Sequence, residues 1–192
     1  MISGFLTQKK FMTSIFTDDG KRVGVTVLEA KPLTVNRLRT LEKDGYAAIQ
    51  LKSTKNKLIE FKSTSETDPE LKTEVTVDSV FTPGDQVSAT SQSKGRGFAG
   101  VIKRHGFRRQ PVSGGASDRV RAPGSIGAQT PGKVIKGKKM PGHYGNATAT
   151  VTNLKIVKID KEQNLLYVSG GLPGHVNSWV VITKSKTYGQ NK

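Results

Sequence analysis

The sequence predicts a mainly β protein, a barrel or a sandwich, that carries a long basic loop between its strands. Short runs of β-favouring residues, separated by turn signals, occupy both ends of the 192-residue chain. Between them lies a segment rich in glycine, proline and positive charge, a composition that interrupts helices and strands. We therefore predict a discontinuous β domain, residues 1–90 and 147–192, and a basic extension, residues 91–146.

Four strands are predicted in the first half of the chain, in runs of valine, isoleucine and threonine. They cover residues 23–29, 47–51, 73–80 and 86–89. Residues 35–43 are compatible with a short helix and equally with a strand, and the polar residues 52–72 are predicted to form a connection. The runs are bounded by turn signals at Asp18-Asp19-Gly20, Lys43-Asp44-Gly45 and Pro83-Gly84-Asp85.

Three more strands are predicted after the basic segment, at residues 148–160, 165–169 and 179–183. The turn signal Gly170-Gly171 follows the second of them. Within residues 151–159 apolar and polar side chains alternate, although imperfectly, which is typical of a half-buried strand.

The positive charge is concentrated in the predicted extension. Residues 91–146 hold 12 lysines and arginines against the single acid Asp118, a net charge of +11 out of +16 for the whole chain. The same residues hold 12 of the 21 glycines and four of the eight prolines. Because few large apolar side chains are present to bury, we expect this segment to become ordered only against a partner.

Nucleic acid is the predicted partner, because a pI near 10.1 favours a polyanion and phosphate neutralisation releases counterions. RNA fits better than DNA, since no recognition helix, basic zipper or zinc finger is visible and a long arm suits irregular folded RNA. An anionic membrane has no support, because no apolar run approaches the roughly 20 residues of a span. No apolar core of a secretory signal is visible at the N-terminus.

Enzyme chemistry is not predicted, and neither is a metal, a cofactor or a small-molecule substrate. Residues 95–100 spell GxGxxG, but no buried strand precedes them. Residues 132–138 have phosphate-loop spacing, but Lys139 occupies the position of the magnesium-binding hydroxyl. The three histidines lack metal-ligand spacing, and the absence of cysteine excludes disulfides and thiolate sites and fits a reducing cytoplasm.

Two long strings carry a family resemblance: TPGDQVSATSQSKGRGFAGVIKRHGFRRQP and RAPGSIGAQTPGKVIKGKKMPGHYGN. They resemble the universal L-three family of large-subunit ribosomal proteins. Weaker similarity in MTSIFTDDG, VTVLEA, KDGYAAIQL and NLLYVSGGLPG extends the resemblance over nearly the whole chain.

The resemblance implies a six-stranded translation-protein-type β-barrel with a long extension that enters the ribosomal RNA. It implies a cytoplasmic, ribosomal protein that nucleates assembly of the large subunit and supports the peptidyl-transferase centre with its loop tip, here about residues 113–132. Its expected partners are 23S-type rRNA and neighbouring ribosomal proteins rather than a second copy. The alternative is a non-specific RNA chaperone or nucleic-acid compaction protein.

The candidate rRNA-binding residues are the basic side chains of the extension and two of its histidines. They are Lys94, Arg96, Lys103, Arg104, His105, Arg108, Arg109, Arg119, Arg121, Lys133, Lys136, Lys138, Lys139 and His143. The resemblance also makes Gln129 a candidate methylation site, because it matches a glutamine that is methylated in some bacterial members.

The chain departs from the family pattern at two places. Phe11 stands where the family has a glycine before Met-Thr, which puts a tight turn there in doubt. The connection at residues 52–70 is shorter than usual and lacks the partly helical segment containing Gly-His-Phe, so contacts made by that segment are also in doubt.

Overall fold

The computed structural model describes residues 2–17, 19–62, 71–115 and 118–185. Its strands and helices are, in chain order, β1 (Gly4–Phe16), β2 (Arg22–Glu29), β3 (Leu33–Arg39), α1 (Leu41–Asp44), β4 (Ala48–Lys52), β5 (Leu58–Lys62), β6 (Glu74–Val75), α2 (Val77–Val80), β7 (Gln86–Gln92), β8 (Phe98–Ala99), α3 (Val101–His105), β9 (Gly142–His143), β10 (Thr148–Asp160), β11 (Leu165–Ser169) and β12 (Trp179–Lys184).

The described residues divide into two compact units. One contains Met1–Ser93 and Thr148–Lys192, and we call it the β unit. The other contains Lys94–Ala147, and we call it the extension. Strands dominate the described chain, so the prediction of a mainly β protein is confirmed.

Six strands of the β unit close into a ring in the order β1, β12, β7, β10, β11, β2, and back to β1. Every neighbouring pair is antiparallel. Side chains alternate between the interior and the outside, as Val180 and Ile182 of β12 show by being fully buried between more exposed neighbours. Because β1 pairs with β12, the ring joins strands from the two ends of the chain.

A second antiparallel sheet of the β unit has the order β5, β4, β3, β6. Its Val35, Ile49 and Leu51 are almost fully buried and belong to the same hydrophobic cluster as Phe5 and Leu28 of the ring. The two sheets therefore share one core, and burial of these side chains is the main favourable contribution to folding of the β unit.

The structure corrects the single strand predicted at residues 73–80. This segment forms the two-residue strand β6 and then the helix α2, which buries Val77 and Val80. Valines at positions 75 and 77 fit a strand, whereas those at 77 and 80 fit one face of a helix. Burial of Val77 and Val80 on one face of a helix accounts for the change from strand to helix after Val75.

Other elements were missed or left open by sequence reasoning. β5 lies inside the predicted connection and pairs in register with β4. The segment 35–43 contains both of its alternatives, since β3 ends at Arg39 and α1 starts at Leu41. Residues 63–70 of the shortened connection, and Asp18 of one predicted turn, lie outside the described residues.

The N-terminal strand β1 was not predicted from the sequence. It contains Phe11, which stands where the family pattern has a glycine. The register of β1 against β2 shifts between Lys9 and Phe11, which marks a β-bulge rather than a tight turn. The side chain of Phe11 is 53% exposed. Beside the bulge, the buried Lys9 ammonium donates a hydrogen bond of 2.7 Å to the Leu172 carbonyl, which joins β1 to the loop after β11.

Candidate nucleic-acid interface

The cations of the extension are available for an external anion. Eleven of its 12 lysines and arginines are exposed, and Arg104 is the exception. Within residues 94–115 and 118–147, none of the 12 takes part in an ion pair. Because ion pairing within the described residues does not neutralise these charges, phosphate groups can do so.

Cations of the β unit are neutralised within the chain to a greater extent. Arg39 pairs with both Asp44 and Glu60 on the outer face of the second sheet. The hydrogen bond from Arg39 lowers the pKa of the Asp44 carboxyl. Hydrogen bonds from Tyr46 and Gln50, together with Arg39, lower the pKa of Glu60. This surface therefore offers a polyanion less free positive charge than the extension does.

Regular structure is present in the extension where its two limbs meet. We call residues 94–106 the outgoing limb, residues 140–146 the returning limb, and the two together the base of the extension. Here β8 pairs with β9, so that Phe98 lies opposite His143, and α3 follows directly. The Arg96 N–H donates to the Tyr144 carbonyl at 2.8 Å, and the Tyr144 N–H donates to the Gly97 carbonyl at 2.9 Å. The base therefore contains strand pairing and a short helix that the composition of the segment did not predict.

Side chains add further contacts between the two limbs. Arg104 Nη1 donates to the Met140 carbonyl oxygen at 2.8 Å, and His105 Nε2 lies 3.1 Å from the same oxygen. Because a carbonyl oxygen only accepts, the His105 contact requires a proton on Nε2. The Arg96 guanidinium lies over the Tyr144 ring, 5.3 Å from its centroid. A cation in this position is attracted to the face of the ring.

We call residues 107–139 the outer part, and in its described residues, 107–115 and 118–139, short turns alternate with irregular backbone. The Gln110 N–H donates to the Val120 carbonyl at 3.2 Å, and the Gly132 N–H donates to the Gln129 carbonyl at 2.9 Å. Residues 108–112 line a concave surface that includes Arg108 and Arg109. The predicted tip, residues 113–132, belongs to this part, and Ala116 and Ser117 within it lie outside the described residues.

The structure separates the predicted site residues into two groups. The base contains Lys94, Arg96, Lys103, Arg104, His105 and His143, and the outer part contains Arg108, Arg109, Arg119, Arg121, Lys133, Lys136, Lys138 and Lys139. Backbone pairing holds Arg96 and His143 in the base. Arg104 and His105 both contact the Met140 carbonyl through their side chains. The members in the outer part are exposed along turns and irregular backbone. Gln129 is exposed within one of these turns.

Two aromatic residues of the site were missed by sequence reasoning. Phe98 is 73% exposed, and its ring meets that of His143 edge-on at a centroid distance of 6.4 Å. Tyr144 supports Arg96, as described above. An exposed ring beside cations can stack on an unpaired base. The available signal was the placement of aromatic residues among glycines and basic residues in both limbs.

Neither a metal cluster nor a membrane-spanning helix is present in the described part of the chain. Residues 2–17, 19–62, 71–115 and 118–185 contain no group of three or more histidine, aspartate or glutamate side chains that could hold a metal ion. In the same ranges, no helix has the length and apolar character needed to cross a membrane.

Comparison with known proteins shows which family the sequence matches. The sequence model described as Ribosomal protein L3 matches residues 49–192. A relative named large ribosomal subunit protein uL3 from Herpetosiphon aurantiacus is 44% identical over 207 residues, which covers 96% of this chain and 97% of the relative. Proteins of the same name are 43% identical in Dehalococcoides mccartyi strain CBDB1 and 42% identical in Legionella pneumophila strain Corby.

These matches extend over nearly the full length of this chain and of each relative. The Dehalococcoides match covers 96% of this chain and 99% of the relative, and the Legionella match covers 95% of each. The Herpetosiphon comparison spans 207 positions against the 192 residues of this chain, so the relative contains residues that this chain lacks. The similarity thus includes both the β unit and the extension.

Proposed function

The chain belongs to the ribosomal protein L3 family and is a structural constituent of the large ribosomal subunit, and we propose that its extension is the part that binds 23S-type rRNA. The observation that carries this proposal is the exposure of 11 cations in the extension without an ion pair in its described residues. Full-length similarity to proteins named uL3 disfavours the alternative of a non-specific RNA chaperone or compaction protein.

The proposed mechanism is architectural. Lysine and arginine side chains of the extension neutralise phosphates where RNA helices converge and thereby permit a packing that the RNA charge opposes. Arginines such as Arg108 and Arg109 offer a planar fork to paired phosphate oxygens. No residue is assigned a chemical step, since the family is structural and peptide-bond formation would be the task of the RNA.

Four finer assignments belong to the same proposal. The closed ring of strands is the six-stranded translation-protein-type barrel of the family, and it anchors the extension. The tip at residues 113–132 supports the peptidyl-transferase centre, and rRNA binding nucleates assembly beside neighbouring ribosomal proteins. Gln129, exposed in its turn, is the residue that a methyltransferase would modify.

A salt-titrated binding assay against fragments of large-subunit rRNA tests the proposal, with unrelated structured RNA of equal length as competitor. We expect one fragment to remain bound at physiological salt in the presence of competitor. Equal competition by every RNA would contradict a defined ribosomal site and favour the chaperone alternative.

Variants of exposed cations identify the part of the chain that binds. The Arg108→Ala/Arg109→Ala double variant should reduce the slope of log affinity against log salt by up to about one unit for each phosphate that the protein no longer neutralises. The matched control is Lys21→Ala/Lys57→Ala, which removes two exposed charges from the β unit. If the control lowers the slope as much as the arginine variant, binding is not specific to the extension.

A further inference from the structure

We propose that Arg104 is a positioning residue that closes the base of the extension before RNA binds, and that phosphate contact falls to the exposed cations around and beyond it. The inference rests on the proposed function, because it divides the cations of that interface into those that meet RNA and one that shapes the chain. It also changes the expected order of events, since the base is folded before its partner arrives.

The surroundings of Arg104 differ from those of every other cation in the extension. It is the one member of the 12 that is not exposed. Its Nη1 donates to the Met140 carbonyl, 36 positions away in the chain, with His105 Nε2 at the same oxygen. A carbonyl oxygen has two lone pairs and can accept from both donors. Arg104 and His105 thus hold the end of α3 against the returning limb.

Two glycines in the returning limb show how closely the limbs approach. A Cβ atom at Gly142 would lie 2.6 Å from Arg104 Nη1, and its three nearest atoms would all belong to Arg104. A Cβ atom at Gly145, where φ is +75°, would overlap the Lys94 carbonyl oxygen. The guanidinium therefore occupies the space that the missing side chain of Gly142 leaves, and the two backbones are in contact at Gly145.

Closure of the base has a consequence for RNA binding. It fixes the two points from which the outer part leaves, so fewer chain conformations remain to be lost when RNA orders that part. If the base opens, apparent affinity falls in proportion to the fraction of molecules that stay closed. The number of phosphates neutralised stays the same, so the salt dependence should not change.

Amide hydrogen exchange on the full chain without RNA tests closure directly. In the wild type, the Arg96 and Tyr144 amides should exchange slowly, because both are bonded across the limbs. In Arg104→Ala they should exchange at least about tenfold faster. Amides of the ring strands should be unaffected, which distinguishes opening of the base from general unfolding.

The Gly142→Ala variant tests the same contact while retaining every charge. Its added methyl group can be accommodated by moving the flexible Arg104 guanidinium, which removes the contact with Met140. The effects of Arg104→Ala and Gly142→Ala on exchange should therefore be non-additive in the double variant. Gly127→Ala is the matched control, because nothing lies within 4 Å of its added Cβ and its φ is not in the left-handed region.

Salt-titrated binding to the preferred rRNA fragment provides the second readout. Arg104→Ala and Gly142→Ala should each weaken binding about tenfold if about one molecule in ten remains closed, with the salt slope unchanged. Arg108→Ala should instead reduce the slope by about 0.7 to 0.9, the value for a single phosphate contact.

Three results would overturn the inference. They are fast exchange of the Arg96 and Tyr144 amides in the wild type, unchanged exchange in either variant, and a reduction of the salt slope in Arg104→Ala equal to that in Arg108→Ala. Failure of the proposed function looks different, because all RNAs would then compete equally while the exchange results still decide whether Arg104 closes the base.

Discussion

Individual glycines of the extension have different structural roles that their number does not reveal. A Cβ atom at Gly142 would displace the Arg104 guanidinium, and a Cβ atom at Gly145 would overlap the Lys94 carbonyl oxygen. Gly137 has a positive φ of +83° with open space around it, so it serves the path of the backbone. Gly127 has neither constraint, and we expect it to accept alanine in the free protein. The same residue type therefore has large or small substitution costs within one segment.

The contacts of Asp85 predict how the stability of the protein depends on pH. It accepts hydrogen bonds from the Thr82 N–H at 3.0 Å and the Thr82 hydroxyl at 2.9 Å, and Lys184 Nζ lies 3.5 Å away. The backbone hydrogen bond from Thr82 is the main cause that lowers the pKa of Asp85. Because the pKa is lower in the folded state, the stabilisation is present above the unfolded-state pKa and is lost as pH falls through the folded-state value.

The Asp85→Asn variant should therefore lower the free energy of unfolding by about 1 kcal/mol at neutral pH. Its difference from the wild type should shrink as pH falls below about 4, the pKa of an unperturbed aspartate. Urea unfolding from pH 7 to pH 3 measures this difference, with the exposed Glu162→Gln as the control. A difference that stays constant over this range would show that the Asp85 charge does not stabilise the turn.

Among the elements, β10 has register shifts that explain why its apolar and polar residues alternate imperfectly. Its register against β7 shifts between Val151 and Leu154, and its register against β11 shifts between Ile156 and Lys158. Each bulge adds a residue to one strand and changes which side chains face the core. Leu154 and Ile156 are thus buried although they lie out of phase with Val151.

Asn153 lies in the first bulge of β10, and its backbone conformation predicts which substitutions the protein tolerates there. Its φ is +59°, a left-handed conformation that asparagine tolerates and β-branched residues strongly disfavour. Asn153→Val should destabilise the protein by about 1–3 kcal/mol, whereas Asn153→Gly should be close to neutral. Thermal unfolding of both variants, with Thr152→Val as the neighbouring control, measures the difference. Equal stability of the valine and glycine variants would mean that the bulge is not maintained.

At the scale of the whole molecule, the sources of stability and of charge are separated along the chain. Every member of the hydrophobic core cluster belongs to the β unit. The segment 91–146, which includes nearly all of the extension, carries +11, and the rest of the chain carries the remaining +5. Folding of the β unit therefore draws on burial that the extension does not provide, while the extension provides the positive potential.

Replacing Ser93–Ala147 by an Asn-Gly turn tests this separation. Gln92 and Thr148 are paired neighbours in β7 and β10, so a short turn can join the two strands. We expect the shortened chain to unfold cooperatively, and its salt slope for rRNA binding to fall by several units. Circular dichroism and salt-titrated binding measure the two outcomes. Retention of the full slope would locate the phosphate contacts in the β unit instead.

Properties that depend on residue type and near neighbours could be predicted from the sequence. The basic segment, the glycine and proline content, and the strands at residues 165–169 and 148–160 follow from composition, turn chemistry and local alternation. The candidate cations could be chosen in this way because charge belongs to the residue itself. The two distinctive strings also sufficed to indicate the family.

Features that depend on residues distant in the chain became apparent only in the folded structure. β1 is a strand because β12 and β2 pair with it, and residues 77–80 form a helix because the core accepts two valines on one face. Arg104 and Arg108 are chemically alike and close in sequence, yet only Arg104 meets Met140 from the returning limb. Whether a cation remains free for phosphate depends on which carbonyl the fold brings to it, and local sequence does not contain that information.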